Sequence, residues 1–599
     1  MVSRKPLLRT PLLTLLSVAA GGLLVVSGCQ SPGQIAAPCS VNAIEGTPGE
    51  QARRFFTLAG DAAEQGDPRS PDYYYQAAIL SWPFLRSGDG AALTPAEAWQ
   101  IYHASVAGLI TEGQRHGRFD RRGQLIVNLP GARTAIPIAC LDLPWQSSDI
   151  GKIVVVDPEA DSKLENYHSC PGLGVPVVAV RESGSCPSAM EPFFAKQLPF
   201  AATVVLRPGR AMRTGDCVLE LYNPLAVCSL EVDRQTVAMA RDISAPFDYQ
   251  LQTTEGTGML GFLKPDVPED AEGLRFVEPY QAGKIPIVFI HGLLSDPSTW
   301  FDTANDLREQ AWFNERYQIW AFRYASGKPF VTSAMFLRTQ LRQAVTTLDP
   351  QETDPALRQM VLVGHSMGGL VSKLQVTESE DRIWGSFASA PFESLRAPEQ
   401  LRARLAESCY FEPQPFVRRV IFLATPHGGS SFATRGIGRL GSAMVRPAEA
   451  TTELHEQLVE ANREIFSPQF ERRVPTSMDM LEPDDPTLLA IRAMRVSPRV
   501  HLHSIIGTGG TMLGEGPGDG VVTVESALHP GVVTQRFVNA THTEVQRHPD
   551  SLAEIRSILQ AHLTESNVGV AAASDGTRLR QSDRPAPRGD EANRIGKTR

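Results

Sequence analysis

Residues 360–370 read Met-Val-Leu-Val-Gly-His-Ser-Met-Gly-Gly-Leu, and they restrict the fold more than any other stretch of the chain. Met360 to Val363 is a short apolar run of the kind that forms a buried strand. After Ser366 the spacing of Leu370, Val371 and Leu374 predicts a helix with one apolar face. A strand can turn directly into a helix over so few residues only if side chains are absent where the two backbones meet. Gly364 and Gly368 supply that absence on either side of Ser366. The turn would lift the Ser366 hydroxyl clear of a sheet and leave it at a helix N-terminus, where backbone N–H groups lack intrahelical acceptors.

A serine so placed has chemical use only if other groups surround it. Pro286 to Ile290 forms a second apolar run, followed at once by His291-Gly292-Leu293-Leu294. A turn there can aim the Leu293 N–H at the same point as the Met367 N–H, as an oxyanion-stabilising pair requires. A hydroxyl also needs a base. His542 lies a few residues past the apolar run 533–538 and before the last helical pattern. His548, the alternative, is followed by Pro549 and reads as the start of that helix. The carboxylate that orients the base is sought between serine and histidine. Asp519, flanked by Gly518 and Gly520 after the run 500–506, is the preferred candidate. Asp479, Asp484 and Asp485 compete but precede that run, and an Asp-Gly pair is also a common turn.

Together Ile290-His-Gly-Leu293, Gly364-His-Ser-Met-Gly-Gly369, Leu423-Ala-Thr-Pro-His427-Gly-Gly-Ser430, Asp519-Gly-Val-Val and His542 resemble a lipase/esterase-type α/β hydrolase, similar to triacylglycerol-lipase-like and GPI inositol-deacylase-like members. The resemblance covers residues 280 to 565. It implies an α/β-hydrolase fold, a mostly parallel sheet with helices on both faces. It further implies ester hydrolysis through an acyl-serine intermediate, with no metal or organic cofactor and an ester or lipid as substrate. His427 is expected to shape its loop rather than act as a second base. The same triad serves amidases, peptidases and acyltransferases, and a surface lipoprotein could use the fold only as a scaffold.

The chain of 599 residues is too long for one core. Arg4, Lys5 and Arg9 precede the apolar run Leu12 to Val26, a signal-peptide pattern over residues 1–28. Val26-Ser-Gly-Cys29 resembles a bacterial lipobox, which implies lipid attachment at Cys29 and a membrane-tethered protein of the cell envelope. Residues 29–47 read as a tether. Residues 48–120 carry three helical patterns, one starting at the capping box Thr94-Pro-Ala-Glu97, with faint similarity to tetratricopeptide helix pairs. Tyr73, Tyr74 and Tyr75 among them read as core and rim. Residues 121–255 alternate β-branched runs with Pro, Gly and Asp, predicting a mainly antiparallel sheet with no catalytic constellation, read as contacting a partner or covering the hydrolase site; the protein partner of residues 48–255 is unidentified. The α/β domain is assigned to 256–565, with insertions at 379–417 and 429–498 flanking the site, and 566–599 reads as a disordered tail.

A net charge of -9 argues against nucleic-acid binding. Besides Cys29 there are seven cysteines, an odd number; Cys170/Cys186 and Cys217/Cys228 are the pairs near enough in sequence to suspect of bridging.

Overall fold

The computed structural model describes residues 45–86, 92–120, 123–157, 160–182, 189–209, 216–254, 272–431, 449–472, 475–512 and 516–581. The signal peptide, Cys29 and most of the tether lie outside them.

Helices α1 (Pro48–Glu64), α2 (Ser70–Ser81) and α3 (Pro95–Arg115) occupy the first helical stretch. The complete capping box is at α1, where Thr47 and Glu50 bond reciprocally. At α3 only half of the expected box forms: Thr94 accepts from the Glu97 N–H, whereas the Glu97 carboxylate is taken by Arg53. Tyr75 is fully buried, and the Tyr74 ring packs so closely on Gly108 that a Cβ there would lie 2.5 Å from it.

The three helices do not stack as repeats. They cover a six-stranded sheet of β1 (Gln124–Leu129), β2 (Ala132–Leu141), β3 (Ile150–Val155), β4 (Val175–Glu182), β5 (Gln197–Pro208) and β6 (Cys217–Tyr222), ordered β1-β2-β6-β5-β4-β3. All neighbours are antiparallel except β2 and β6. Helices and sheet share one apolar core, sealed by the Tyr102 hydroxyl, which donates to the Leu206 carbonyl at 3.1 Å and accepts from its N–H at 3.0 Å. Cys170, Cys217 and Cys228 are free thiols, so the suspected Cys217/Cys228 bridge is absent. Cys217 is buried in β6 and Cys228 is exposed on a separate turn; Cys186 lies outside the described residues.

The second sheet comprises β7 (Gly273–Phe276), β8 (Ile285–Ile290), β9 (Tyr317–Arg323), β10 (Met360–His365), β11 (Val417–Leu423), β12 (His501–Gly507) and β13 (Val532–Val538), ordered β7-β9-β8-β10-β11-β12-β13. Only the edge strand β7, which the sequence patterns did not reveal, runs antiparallel. The remaining pairings are parallel, with helix α4 (Phe330–Leu348) lying in the chain between β9 and β10, and with Ile290 beside Gly364, Gly364 beside Phe422 and Phe422 beside Ser504. This register brings the C-terminal ends of four strands to one level, the edge at which parallel sheets place their ligands.

Stacked rings join the two units: Phe193 lies 4.7 Å from Phe276, and Phe276 lies 4.5 Å from Trp320. Beside them runs a polar seam in which His168 meets Asp306 at 2.6 Å and Ser244 donates to Asn305 at 2.9 Å.

The two insertions pack on each other. Ser389 N–H donates to the Ile465 carbonyl at 2.8 Å, and Phe387 stacks on Phe470 at 4.9 Å. Leu458 and Ile465 face this aromatic interior, while Leu454 is exposed; Ala443 and Met444 lie outside the described residues. The terminal helix α6 (Pro549–Gln581) runs well past residue 566, where a disordered tail was expected. Tyr317 donates to the Leu559 carbonyl, and Arg419 donates to His562 and pairs with Glu565, so the sheet itself anchors the helix at that boundary. Among the described residues no helix is long and apolar enough to cross a membrane.

Candidate active site

All six residues of β10 are buried, and the chain leaves the strand at Ser366 with φ 52° and ψ -124°. That conformation is costly for a residue with a Cβ. It is held by the Ser366 N–H, which donates to the Leu423 carbonyl of the neighbouring strand at 2.8 Å. Helix α5 (Met367–Lys373) then starts at once. The flanking glycines are required by space: a Cβ on Gly364 would stand 2.4 Å from the Gly368 carbonyl oxygen, and one on Gly368 would stand 2.4 Å from the carbonyl oxygens of both Ile290 and His291.

His542 Nε2 lies 2.9 Å from Ser366 Oγ, and its Nδ1 lies 2.8 Å from Asp519 Oδ2. The other oxygen of Asp519 accepts the N–H groups of Val521 and Val522 at 2.9 and 2.7 Å. These bonds fix the carboxylate plane and leave one oxygen for the imidazole. The Asp519 carbonyl also accepts the His542 N–H at 3.0 Å, so the two residues are joined by main chain as well as side chain. Asp519 is buried and the His542 ring only slightly exposed.

The competing residues stand elsewhere. His548 Nδ1 accepts the Asp550 N–H at the start of α6. Asp485 caps the helix Pro486–Ala493, Asp479 accepts from Thr476, and Asp484 is exposed.

Leu293 follows the end of β8, and Met367 is the first residue of α5. Among the described residues neither N–H meets an acceptor. His291 braces this loop. Its Nδ1–H donates to the Gly292 carbonyl at 2.9 Å, its Nε2 accepts the Tyr324 N–H at 3.3 Å, and the Tyr324 hydroxyl donates to its carbonyl at 2.8 Å. Full burial pushes the His291 imidazole down to about 4, which keeps it neutral and its tautomer single.

One participant the motif contained but the sequence did not assign is His365. Its Nε2–H donates to the carbonyl of His542 at 2.8 Å, and burial pushes it down to about 3. Tyr324 carries no sequence signal at all. The loop after β11 is tied to the Asp519 segment through the Gly428 N–H to the Ser526 carbonyl and the Ser430 hydroxyl to the Val521 carbonyl. His427 is buried within that loop.

This arrangement polarises a hydroxyl toward an imidazole backed by a buried carboxylate, beside two unsatisfied main-chain donors. Such a constellation can perform nucleophilic acyl transfer. Among the described residues no group of three or more His, Cys, Asp or Glu side chains gathers as a metal site.

Residues 287–555 match the model of the alpha/beta hydrolase family. No curated protein matches the chain. Solved structures similar to it include the Bacillus licheniformis lipase BlEst2 in mature form, 20% identical, covering 47% of this chain and 93% of that chain with a TM-score of 0.26. The Staphylococcus hyicus lipase is 14% identical and covers 49% of this chain and 97% of that chain with a TM-score of 0.30. Lipase 1 from Pelosinus fermentans is 12% identical, with coverage of 47% and 98% and a TM-score of 0.29. Residues 287–555, which match that family's model and carry the serine turn on a mostly parallel sheet, have the α/β-hydrolase fold.

Proposed function

We propose that the protein is a lipid-anchored serine hydrolase that cleaves carboxylic esters of the lipase/esterase type. The observation that carries this reading is the unbroken chain from Asp519 Oδ2 through His542 to Ser366 Oγ, with contacts of 2.8 and 2.9 Å. In the first step the Ser366 proton moves to His542 Nε2 while Oγ bonds to the ester carbonyl carbon. The carbonyl π electrons move to oxygen, and the N–H groups of Leu293 and Met367 stabilise the resulting anion. Each such donor is worth about 3 kcal/mol in the transition state. Collapse of the intermediate breaks the bond to the leaving alkoxide, which takes the proton from His542. Water then attacks the acyl-serine, giving a proton to His542, and collapse returns that proton to Ser366 Oγ as the acid departs. Asp519 stays ionised and stabilises the imidazolium formed in both halves.

A fluorophosphonate probe tests the reading. Wild type should be labelled at Ser366, and Ser366→Ala should not; an unlabelled, folded wild type would refute it. A panel of p-nitrophenyl esters of increasing chain length then distinguishes lipid-like from short acyl substrates, and inactivity on every ester but activity on amides would move the protein to the amidase class. Anchoring through Cys29 is read by mass spectrometry of the mature N-terminus, where Cys29→Ser should release the protein from membranes.

A further inference from the structure

Behind the nucleophile helix lies a buried group of cationic and neutral donors that the proposed reaction does not use. Gly369 and Lys373 stand four residues apart on α5 and therefore share a face. That face meets the loop after β11, since a Cβ on Gly369 would fall 1.9 Å from Thr425 Oγ1. Lys373 is only 1% exposed and, among the described residues, has no carboxylate partner. It lies within electrostatic reach of both His427 and His529. The two imidazoles are 4.7 Å apart, and Phe422 packs against each, at 4.7 Å from His427 and 5.7 Å from His529.

The polar atoms here are left without partners in the protein. Both ring nitrogens of His427, Nδ1 of His529 and Thr425 Oγ1 meet no hydrogen-bond partner, although His427 is 2% and Thr425 1% exposed. Unpaired buried polar atoms are individually costly, and an unpaired buried ammonium more so. Three such side chains, His427, Thr425 and His529, converge from the loop after β11 and the segment before β13, and the buried Lys373 of α5 adds a cation beside them. A metal cation does not fit, because Lys373 and Arg492 would oppose it. Water would satisfy the hydroxyl and imidazoles but would leave the ammonium without a counter-charge. Burial, with Arg492 adding to it, holds Lys373 down to about 8.

We propose that Lys373, His427, His529 and Thr425 enclose a small inorganic anion of halide size. The ammonium supplies the charge, the imidazole N–H groups and the Thr425 hydroxyl supply donors, and the Phe422 ring packs against both imidazoles. The anion would bridge the nucleophile helix to two loops that continue toward the acid and the base. The site stands whether or not Ser366 is the nucleophile, because binding is read without catalysis.

Crystals of the full chain soaked in sodium bromide, with data collected at the bromine edge, provide the decisive measurement. An anomalous peak between Lys373 Nζ and the two imidazoles is expected; density there without anomalous signal identifies water and overturns the proposal. In solution, exchange from sodium gluconate to sodium chloride at equal ionic strength should raise the wild-type Tm by a few degrees, since gluconate is too large for the enclosure. The chloride-specific rise should vanish in Lys373→Met and in His427→Phe. If either variant fails to fold, the wild-type bromide measurement alone decides. A wild-type Tm that is the same in both salts counts against the site.

Discussion

His365 donates its Nε2–H to the main-chain carbonyl of His542 at 2.8 Å, so the residue before the serine fixes the backbone of the residue that would activate it. Because burial holds the His365 imidazole at about 3, its single proton stays on the donating nitrogen across the working pH range. Replacing it by Phe removes the donor and keeps the bulk. We expect kcat on a p-nitrophenyl ester to fall by roughly tenfold to a hundredfold with KM little changed, the effect of a misplaced base. His365→Gln, which can still donate, should recover much of the loss. Equal loss in both variants would assign His365 to packing alone.

Asp519→Asn tests the carboxylate without changing its shape. The Val521 and Val522 N–H groups would hold the amide oxygen where Oδ1 now sits, leaving the NH2 to face His542 Nδ1. An NH2 there demands the wrong tautomer, with the ring proton pointed at Ser366. The expected fall in kcat is about 10⁴-fold, with residual activity above water. Fluorophosphonate labelling rates should fall in parallel.

Gly368→Ala should damage the fold as well as the site. The new methyl would press on two backbone oxygens, those of Ile290 and His291, which cannot rotate away as a side chain would. A loss of about 1–3 kcal/mol or more is expected, read as a lower denaturant midpoint, together with loss of labelling at Ser366.

Acid should unfold the protein through its buried imidazoles. Burial, the first cause in each case, lowers His291 to about 4 and His365, His503 and His562 to about 3, with Arg419 adding to the last two. In the unfolded chain each would titrate near the ordinary histidine value of about 6.5. Between those limits the unfolded state holds more protons, so stability falls as pH drops below about 6.5. Urea midpoints measured from pH 7.5 to 4.5 should be flat at the top and decline steeply below, less steeply in His503→Gln. Stability that rises on acidification would contradict this assignment.

The ring stack between the two units should respond to truncation. Phe193 is buried against Phe276, and Phe193→Ala is expected to cost about 3–5 kcal/mol. Asp306→Asn, which removes the charge facing His168, tests the polar seam separately. Both are measured as shifts in urea unfolding.

Much of the hydrolase sheet was legible because parallel strands are buried on both faces and read as continuous apolar runs, as Met360–Val363 does. Ser366, Asp519 and His542 were legible for a different reason: their backbones need glycine or a short loop at fixed places in the chain order. Strand β7 was not, since four residues with no alternation and a Gly at φ 127° resemble any loop. Neither was the union of α1–α3 with the first sheet, which depends on contacts such as Tyr102 with Leu206, 104 residues apart. The boundary drawn at 566 falls inside α6, because polar composition does not mark where a helix ends. Tyr324 bracing His291 left no trace, as a tyrosine that ends a strand usually means only packing.

Ser366 and His542 are separated by 176 positions, and nothing local brings them together. Contacts so distant in sequence form late, after the closure of long loops has been compensated by other packing. During synthesis the serine turn can fold behind β8 and β10 while the base is still unmade. The Ser366 turn would therefore form without its partner, and its contact with His542 would close only once β13 and the residues after it have joined the sheet.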